Sequence, residues 1–352
     1  MLVSEFVNSC VSALCGRGAA DAANCVAKHS PLYSQNEANA IAARVLEDVF
    51  GLKRYEPLFN PDSLLPLPIN YRPVNGAGDI IKQIITRLAA GEPVQYVAGF
   101  EIFCGSRFKV GPGVLIPRPE TEELVNLITK DVVTAWNRKD IASMAQQYKK
   151  GFAGRAFKIF DVCTGSGCIA WSLHKRLTEA LKTKRAEGCA EELGLESYGC
   201  DISETSLGYA KSQNIIKGSR WPMFFKYDVL SGFSGTDIGA DTLHSFIGEL
   251  DIVVSNPPYI AESQKEAMHK NVLEYEPAEA LFVPDANPLL FYNAITSLAK
   301  RLLRSGGRLY FEVNENFAQE VATIAIREGF NNVLIHNDIN NKQRFVSATA
   351  PY

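Results

Sequence analysis

The sequence predicts an α/β protein in which a doubly wound domain with a mostly parallel sheet follows a small helical domain. Three observations carry this expectation. The C-terminal two thirds alternate short β-branched and aromatic runs with helical stretches. The N-terminal third instead spaces its apolar residues for helices. The composition, 46% hydrophobic and 21% charged over 352 residues, is that of a globular chain long enough for about two domains.

Taken in order, Phe6, Val7, Val11 and Leu14 predict a short amphipathic helix. This start carries Glu5 and lacks the basic n-region of a signal peptide, so a cytoplasmic location is expected. From Ser34, the residues Ala38, Ile41, Ala42, Val45, Leu46, Val49 and Phe50 mark one face of a second helix. Ser34 and Glu37 form its capping box, and Gly51 is its stop. A proline-rich stretch from Pro57 to Pro73 leads to a third helix, with Ile80, Ile81, Ile84, Ile85, Leu88 and Ala89 inward and Gly91 and Pro93 at its end. No titratable cluster there suggests chemistry, so residues 1–94 are expected to be a helical substrate-docking domain. QYVAGFEIF and SRFKVG suit a β-hairpin, which makes residues 95–118 a linker and residues 119–352 the second domain.

Strand-like runs follow at 158–163, 198–201, 224–228, 251–256, 308–313, 332–336 and 344–349. The last two have no helix between them and are expected to pair antiparallel at one sheet edge. Seven strands with one reversed is the pattern of class I (Rossmann-like) methyltransferases. Stretches near 133–155, 180–195 and 231–248 are poorly patterned and are expected to be surface elaborations.

The chemistry is expected at the carboxyl ends of the strands. After the first strand comes Asp161-Val162-Cys163-Thr164-Gly165-Ser166-Gly167 and then an apolar helix. Glycines let the backbone approach a ligand, and the helix N-terminus offers free N–H groups. GSGCIA also satisfies the dinucleotide fingerprint, so a nicotinamide or flavin enzyme competes at this point. Asp201 ends the second strand, where a carboxylate suits either acceptance of both hydroxyls of a ribose or a polar place in the turn before Ser203, which caps the next helix. Its distance from Gly165 exceeds the ~20 residues of a dinucleotide fold. Asp228 ends the third strand, placed to accept from an adenine amine. Three strand-end acids around one Gly-rich turn favour a nucleoside ligand.

Directly after the fourth strand stands Asn256-Pro257-Pro258-Tyr259. Consecutive prolines fix the backbone and donate no N–H, leaving oriented carbonyl acceptors. An Asn oxygen and the Pro257 carbonyl can hold both hydrogens of an NH2 group with its lone pair aimed at an electrophile. Tyr259 adds a flat face for a planar amide or base. The tetrapeptide argues for transfer to a planar nitrogen and against hydride transfer.

Over about residues 35–350 the chain resembles the HemK/PrmC family of protein-glutamine N5-methyltransferases. The likeness lies in GEPVQYVAGFEIFCGSRFKVGPGVLIPRPETEELV (91–125), DVCTGSGCIA, SNPPYI, LEYEPAEALFVPD (273–285), LLFYNAI, GGRLYFEV and the closing RFVSA. NPPY is shared with adenine-N6 methyltransferases, whereas the IPRPETE and EYEPAEAL segments point to glutamine. The resemblance implies methyl transfer from S-adenosylmethionine to the glutamine of the Gly-Gly-Gln motif in class I peptide-chain release factors. It implies that Cys163, Thr164, Gly165, Ser166 and Gly167 contact the methionine part of the cofactor. Asp201 would bind its ribose, Asp228 and Val229 would flank the adenine, and Asn256, Pro257, Pro258 and Tyr259 would hold the glutamine, with Asn256 also near the cofactor. Two positions depart from the family pattern. Cys163 stands where a first glycine is usual, and Val229 where some relatives carry an aromatic residue.

Other residues leave two readings open. Pro117, Arg118, Pro119, Glu120, Thr121 and Glu122 suit either a roof over the site or a rigid linker ending in a Thr121 helix cap. Glu274 and Glu276 beside Tyr275 suit either a protein-substrate contact or a solvated turn. A balance of 36 Lys plus Arg against 39 Asp plus Glu gives a net charge of −3 and no field for non-specific nucleic-acid binding, which weighs against an adenine-N6 enzyme. A ribosomal-protein glutamine remains an alternative substrate with the same catalytic letters. The eight cysteines lack a CxxC pair and the five histidines lack ligand spacing, so reduced thiols and no metal are expected. No run is long and apolar enough to predict a membrane span.

Overall fold

A computed structural model describes residues 1–15, 33–53, 56, 60–67, 77–137, 156–186, 194–218, 221–234 and 238–351. In chain order the helices are α1 (Val3–Leu14), α2 (Gln35–Asp48), α3 (Ala77–Ala89), α4 (Val94–Ala98), α5 (Pro119–Asn137), α6 (Cys168–Ala186), α7 (Glu204–Ser212), α8 (Ile238–His244), α9 (Lys270–Tyr275), α10 (Leu290–Leu302) and α11 (Ala318–Arg327). The strands are β1 (Phe100–Phe103), β2 (Ser106–Lys109), β3 (Ala156–Val162), β4 (Gly194–Asp201), β5 (Met223–Lys226), β6 (Leu250–Ser255), β7 (Ile260–Ala261), β8 (Phe282–Val283), β9 (Leu303–Glu312), β10 (Asn331–Asn337) and β11 (Gln343–Thr349). Among the described residues no helix is long and apolar enough to cross a membrane.

The chain forms two compact units, the first made of Met1–Phe100 with Met268–Glu276 and the second of Glu101–Ala267 with Pro277–Tyr352. In the first, α1 buries Val3, Phe6, Cys10 and Leu14, α2 buries Ala38, Ala42, Val45 and Leu46, and α3 buries Ile80, Ile84 and Leu88 in one core. Each such Leu or Ile contributes about 1.5–3 kcal/mol over leaving it exposed. The capping box closes as the sequence predicts: the Glu37 N–H donates to Ser34 Oγ at 3.4 Å and the Ser34 N–H to Glu37 Oε2 at 2.8 Å. The later segment belongs to this unit through Tyr275, whose hydroxyl donates to the Ala90 carbonyl at 2.8 Å.

The hairpin is shorter than predicted. Gln95–Ala98 lies in the helix α4, and the paired strands are β1 and β2. Tyr96 and Val97 favour strands on propensity, but Pro93 starts a helical turn and Gly99, at φ 80°, stops it. Tyr96, Val97 and Ala98 are thereby buried.

The second unit is built on a seven-stranded sheet of order β10-β11-β9-β6-β3-β4-β5. β11 runs antiparallel to both β9 and β10, and the other pairings are parallel. All six residues of β6 are buried, which explains why DIVVS reads as a continuous run rather than an alternation. Successive residues still divide between two cores. Phe160, Val253 and Phe311 face α10 and α11, whereas Ile159, Val254 and Tyr310 face α5 and α6.

Parts of the expected surface elaborations are core. α5 runs to Asn137 and packs Trp136 edge-on against Phe157 at 5.5 Å. Leu181 on α6 is buried, and Leu243 and Phe246 fill the core beside Tyr198, whose ring lies 4.6 Å from that of Phe246. Apolar residues thinly spread between polar ones hid these contacts. Residues 138–155 and 187–193 of the same stretches, together with much of the proline-rich segment, lie outside the described residues.

Gly199 in β4 is needed by its neighbours. A Cβ there would lie 2.7 Å from Thr164 Oγ1 and 2.8 Å from the Phe224 ring, closer than packed atoms allow. Gly199→Ala is expected to destabilise the fold by about 1–3 kcal/mol, read as a lower midpoint in urea denaturation.

Candidate functional site

The strand order reverses between β3 and β6, with β4 and β5 on one side and β9 on the other. Loops leaving the carboxyl ends of strands at such a switch point cannot cover one another, so a crevice opens between them. One side is the loop 163–167 and the other is Asn256–Tyr259. Ser255 joins them at the base, its buried hydroxyl donating to the Val162 carbonyl at 2.6 Å.

Local hydrogen bonds hold the first loop. The Thr164 hydroxyl and the Ala170 N–H donate to Asp161 Oδ2 at 2.6 and 3.2 Å, and the Thr164 N–H donates to the Cys200 carbonyl at 2.9 Å. Asp161 is fully buried and its Oδ1 has no partner. Burial pushes its carboxyl up to about 7. Asp161 therefore braces the loop, while Asp201 and Asp228 face the crevice.

Cys163 has φ 59°, the left-handed conformation a glycine adopts without steric cost. The departure from the family pattern thus keeps the glycine-like backbone and adds a side chain at the crevice. Burial and the Asp201 and Asp161 carboxylates hold its thiol well above the ordinary range, so it stays protonated.

Asp201 is held at both oxygens. The Gly165 N–H donates to Oδ2 at 2.8 Å and the Ser203 N–H to Oδ1 at 2.9 Å. Burial raises its pKa against these two bonds, and the Glu279 charge raises it further. Ser203 caps α7 as the sequence predicts, accepting from the Ser206 N–H at 3.3 Å. Asp228 follows β5 and accepts from the Leu230 N–H at 2.9 Å.

A cavity of about 210 Å³ lies in the crevice, lined by Leu115, Val162, Cys163, Gly165, Cys200, Asp201, Ile202, Ser203, Ser206, Tyr227, Asp228, Val229, Leu230, Asn256, Pro258, Pro277, Glu279, Ala280 and Phe291. Seven of the site residues expected from sequence are therefore brought together: Cys163, Gly165, Asp201, Asp228, Val229, Asn256 and Pro258. Thr164, Ser166, Gly167, Pro257 and Tyr259 do not line it. Thr164 and Ser166 are buried, and Gly167, at φ 77°, turns the chain into α6.

Behind the second loop stands a network that sequence reasoning did not find. The Asn256 amide donates to Thr121 Oγ1 at 3.1 Å, and Thr121 donates to Glu312 Oε2 at 2.7 Å. The Tyr259 hydroxyl donates to Glu312 Oε1 at 3.3 Å. Glu312 ends β9 and is fully buried. Burial pushes its carboxyl up to about 7 against the Thr121 hydrogen bond and the Arg344 charge. Burial and Glu312 likewise hold the Tyr259 phenol far above its ordinary value, so it stays protonated. Thr121 is the third residue of α5 and not its cap; its hydroxyl serves Glu312. The available signal was an acid inside the apolar run YFEV, at a strand end like Asp161 and Asp201.

Residues at the crevice fit an adenosylated ligand. Beside Gly165 a Cβ would meet nothing within 4 Å, so the loop surface is open there. Asp201 ends β4 and Asp228 follows β5, and these strands are adjacent, as a ribose joined to an adenine requires.

A crevice of this kind on a seven-stranded sheet with one reversed strand defines a class I methyltransferase, a class that draws its methyl group from S-adenosylmethionine. No family model matches the chain. Among curated proteins it is 34% identical over 319 residues to the release factor glutamine methyltransferase of Bacteroides thetaiotaomicron, covering 90% of this chain and 94% of that one. The enzyme of the same name from Flavobacterium psychrophilum is 32% identical over 315 residues, covering 90% and 93%. That of Lactococcus lactis is 32% identical, covering 76% and 81%. The chain belongs to the release factor glutamine methyltransferase family.

Glu312 also gives a stability test. Its pKa is raised on folding, so the native state binds its proton more tightly and that stabilisation is present at low pH. It is lost as pH rises from the ordinary glutamate range through about 7. Wild type is therefore expected to lose stability relative to Glu312→Gln over this interval, measured as the difference in urea midpoints at pH 5 and pH 8.

Proposed function

We propose that this protein methylates the side-chain amide nitrogen of the glutamine in the Gly-Gly-Gln motif of class I peptide-chain release factors, in the cytoplasm, with S-adenosylmethionine as methyl donor. The observation that carries the reading is the Asn256–Tyr259 turn beside an acid-lined cavity at the switch point, in a chain of this family. S-adenosylmethionine, when bound, supplies a methyl group on a sulfonium. Cys163 and Gly165 would meet its amino-acid part, with Thr164, Ser166 and Gly167 shaping the loop behind them; Asp201 would accept from its ribose hydroxyls, and Asp228 and Val229 would take its adenine. The helical first unit serves as a docking surface for the release factor.

An amide nitrogen is a poor nucleophile because its lone pair is delocalised into the carbonyl. Asn256 Oδ1 and the Pro257 carbonyl accept its two N–H groups, and Tyr259 supports the amide plane. As the nitrogen pyramidalises and becomes positive, these acceptors stabilise the growing charge. Pro257 and Pro258 hold the acceptors rigid beforehand, so no reorganisation is needed at the moment of transfer. Alignment of the nitrogen supplies up to ~7–11 kcal/mol of the barrier. No strong base is required, because the proton becomes acidic once the nitrogen carries the methyl group.

The test is mass analysis of a release factor, ribosomal proteins and short adenine-containing RNA and DNA after incubation with this protein and S-adenosylmethionine. One added methyl on the Gly-Gly-Gln glutamine is expected. Asn256→Ala is expected to lower kcat by about 10²–10³-fold while changing cofactor affinity only a few-fold. Methylation confined to a ribosomal protein or to adenine would overturn the substrate assignment.

A further inference from the structure

We infer that Glu312 is a positioning residue that, acting through Thr121, sets which end of the Asn256 amide faces the substrate and, through Tyr259, pins the other end of the same turn. The inference rests on the function proposed above and concerns Glu312 and Thr121, to which that reading gives no role.

Hydrogen-bond polarity fixes the amide. An ionised carboxylate has no hydrogen to give, so Thr121, 2.7 Å from Glu312 Oε2, must spend its only hydrogen there. Thr121 Oγ1 then has lone pairs alone to offer Asn256, 3.1 Å away. If the Asn256 amide turned over, its oxygen would face that oxygen with no hydrogen between them. The NH2 group is therefore held on Thr121, and Oδ1 is left for the cavity that Asn256 lines. Glu312 accepts from Tyr259 on its other oxygen, so one buried carboxylate holds the first and last residues of the turn. The groups around it keep its charge useful. Arg344 from β11 attracts it and Glu120 from α5 opposes it, while Tyr292 from α10 donates to the Glu312 backbone carbonyl at 3.1 Å. Cys168 from α6 and Tyr259 are held protonated by burial and nearby carboxylates, so each faces Glu312 as a neutral group.

With Glu312 protonated the chain of donors is no longer fixed in one direction, and the Asn256 amide can turn. Activity is then expected to fall as pH drops through the Glu312 titration, at about 7.

The experiment is steady-state kinetics from pH 6 to 9 with a class I release factor on wild type, Thr121→Val, Thr121→Ser and Glu312→Gln. It is joined by calorimetric titration of S-adenosylhomocysteine and hydrogen exchange of the Asn256 side-chain NH2 in labelled protein. Thr121→Val, which removes the hydroxyl at constant shape, is expected to lower kcat by about 10- to 100-fold. Thr121→Ser restores kcat to within about threefold, and product affinity changes less than about twofold in both. The low-pH limb of wild type disappears in Glu312→Gln. The Asn256 NH2 exchanges slowly in wild type and faster in Thr121→Val. Full activity in Thr121→Val, failure of Thr121→Ser to restore it, or persistence of the limb in Glu312→Gln would overturn the inference. If wild type leaves every release factor unmethylated, the function reading fails instead. The exchange rates then decide the Asn256 orientation on their own, with equal rates in wild type and Thr121→Val counting against it.

Discussion

A buried carboxylate that, once ionised, can only accept is the constraint on which the active-site wall depends. Glu312 sits at the end of β9, next to β6, where the sheet brings it behind the turn that follows β6. Removing such a group from water is costly, and the cost is seen in the upward push on its pKa. What offsets it are two hydroxyl donors, from Thr121 and Tyr259, and the nearby Arg344 charge. The same bonds that make the burial tolerable also orient the residues around the crevice.

The opposite wall uses the same device with different letters. Asp161, buried at the end of β3, holds the Gly-rich loop through Thr164 and the start of α6 through Ala170. Asp201, at the end of β4, is fixed by the N–H groups of Gly165 and Ser203 and keeps its remaining lone pairs for the cavity. Parallel strands make this possible because their carboxyl ends open onto one crevice, and the reversal of order between β3 and β6 leaves it uncovered. Precision comes from strand ends held by close packing, and chemistry from the loops they carry.

Most of the sheet was legible in the sequence because each buried strand is a short apolar run with a polar residue at or next to its end, as in KIFDV, YGCD and DIVVSN. The reversed edge was legible from the missing helix before RFVSAT. α4 was not, since Tyr96 and Val97 carry strand propensity and only tertiary burial, between Pro93 and Gly99, decides for helix. The cavity wall was largely legible, because Cys163, Gly165, Asp201, Asp228, Asn256 and Pro258 each stand at or within three residues of a strand's carboxyl end. The Glu312 network was hidden for a physical reason. Thr121 and Glu312 are 191 residues apart and Asn256 and Thr121 are 135 apart, so no local spacing links them. Glu279 was hidden likewise, its segment reaching the cavity only through the fold.

The most direct measurement is a crystal structure of this protein with S-adenosylhomocysteine and a Gly-Gly-Gln release-factor domain, at a resolution that orients amides by their hydrogen bonds. The substrate amide nitrogen is expected within about 3.2 Å of both Asn256 Oδ1 and the Pro257 carbonyl, with Asn256 Nδ2 still on Thr121. An Asn256 amide turned the other way, or a glutamine nitrogen held by other acceptors, would contradict it.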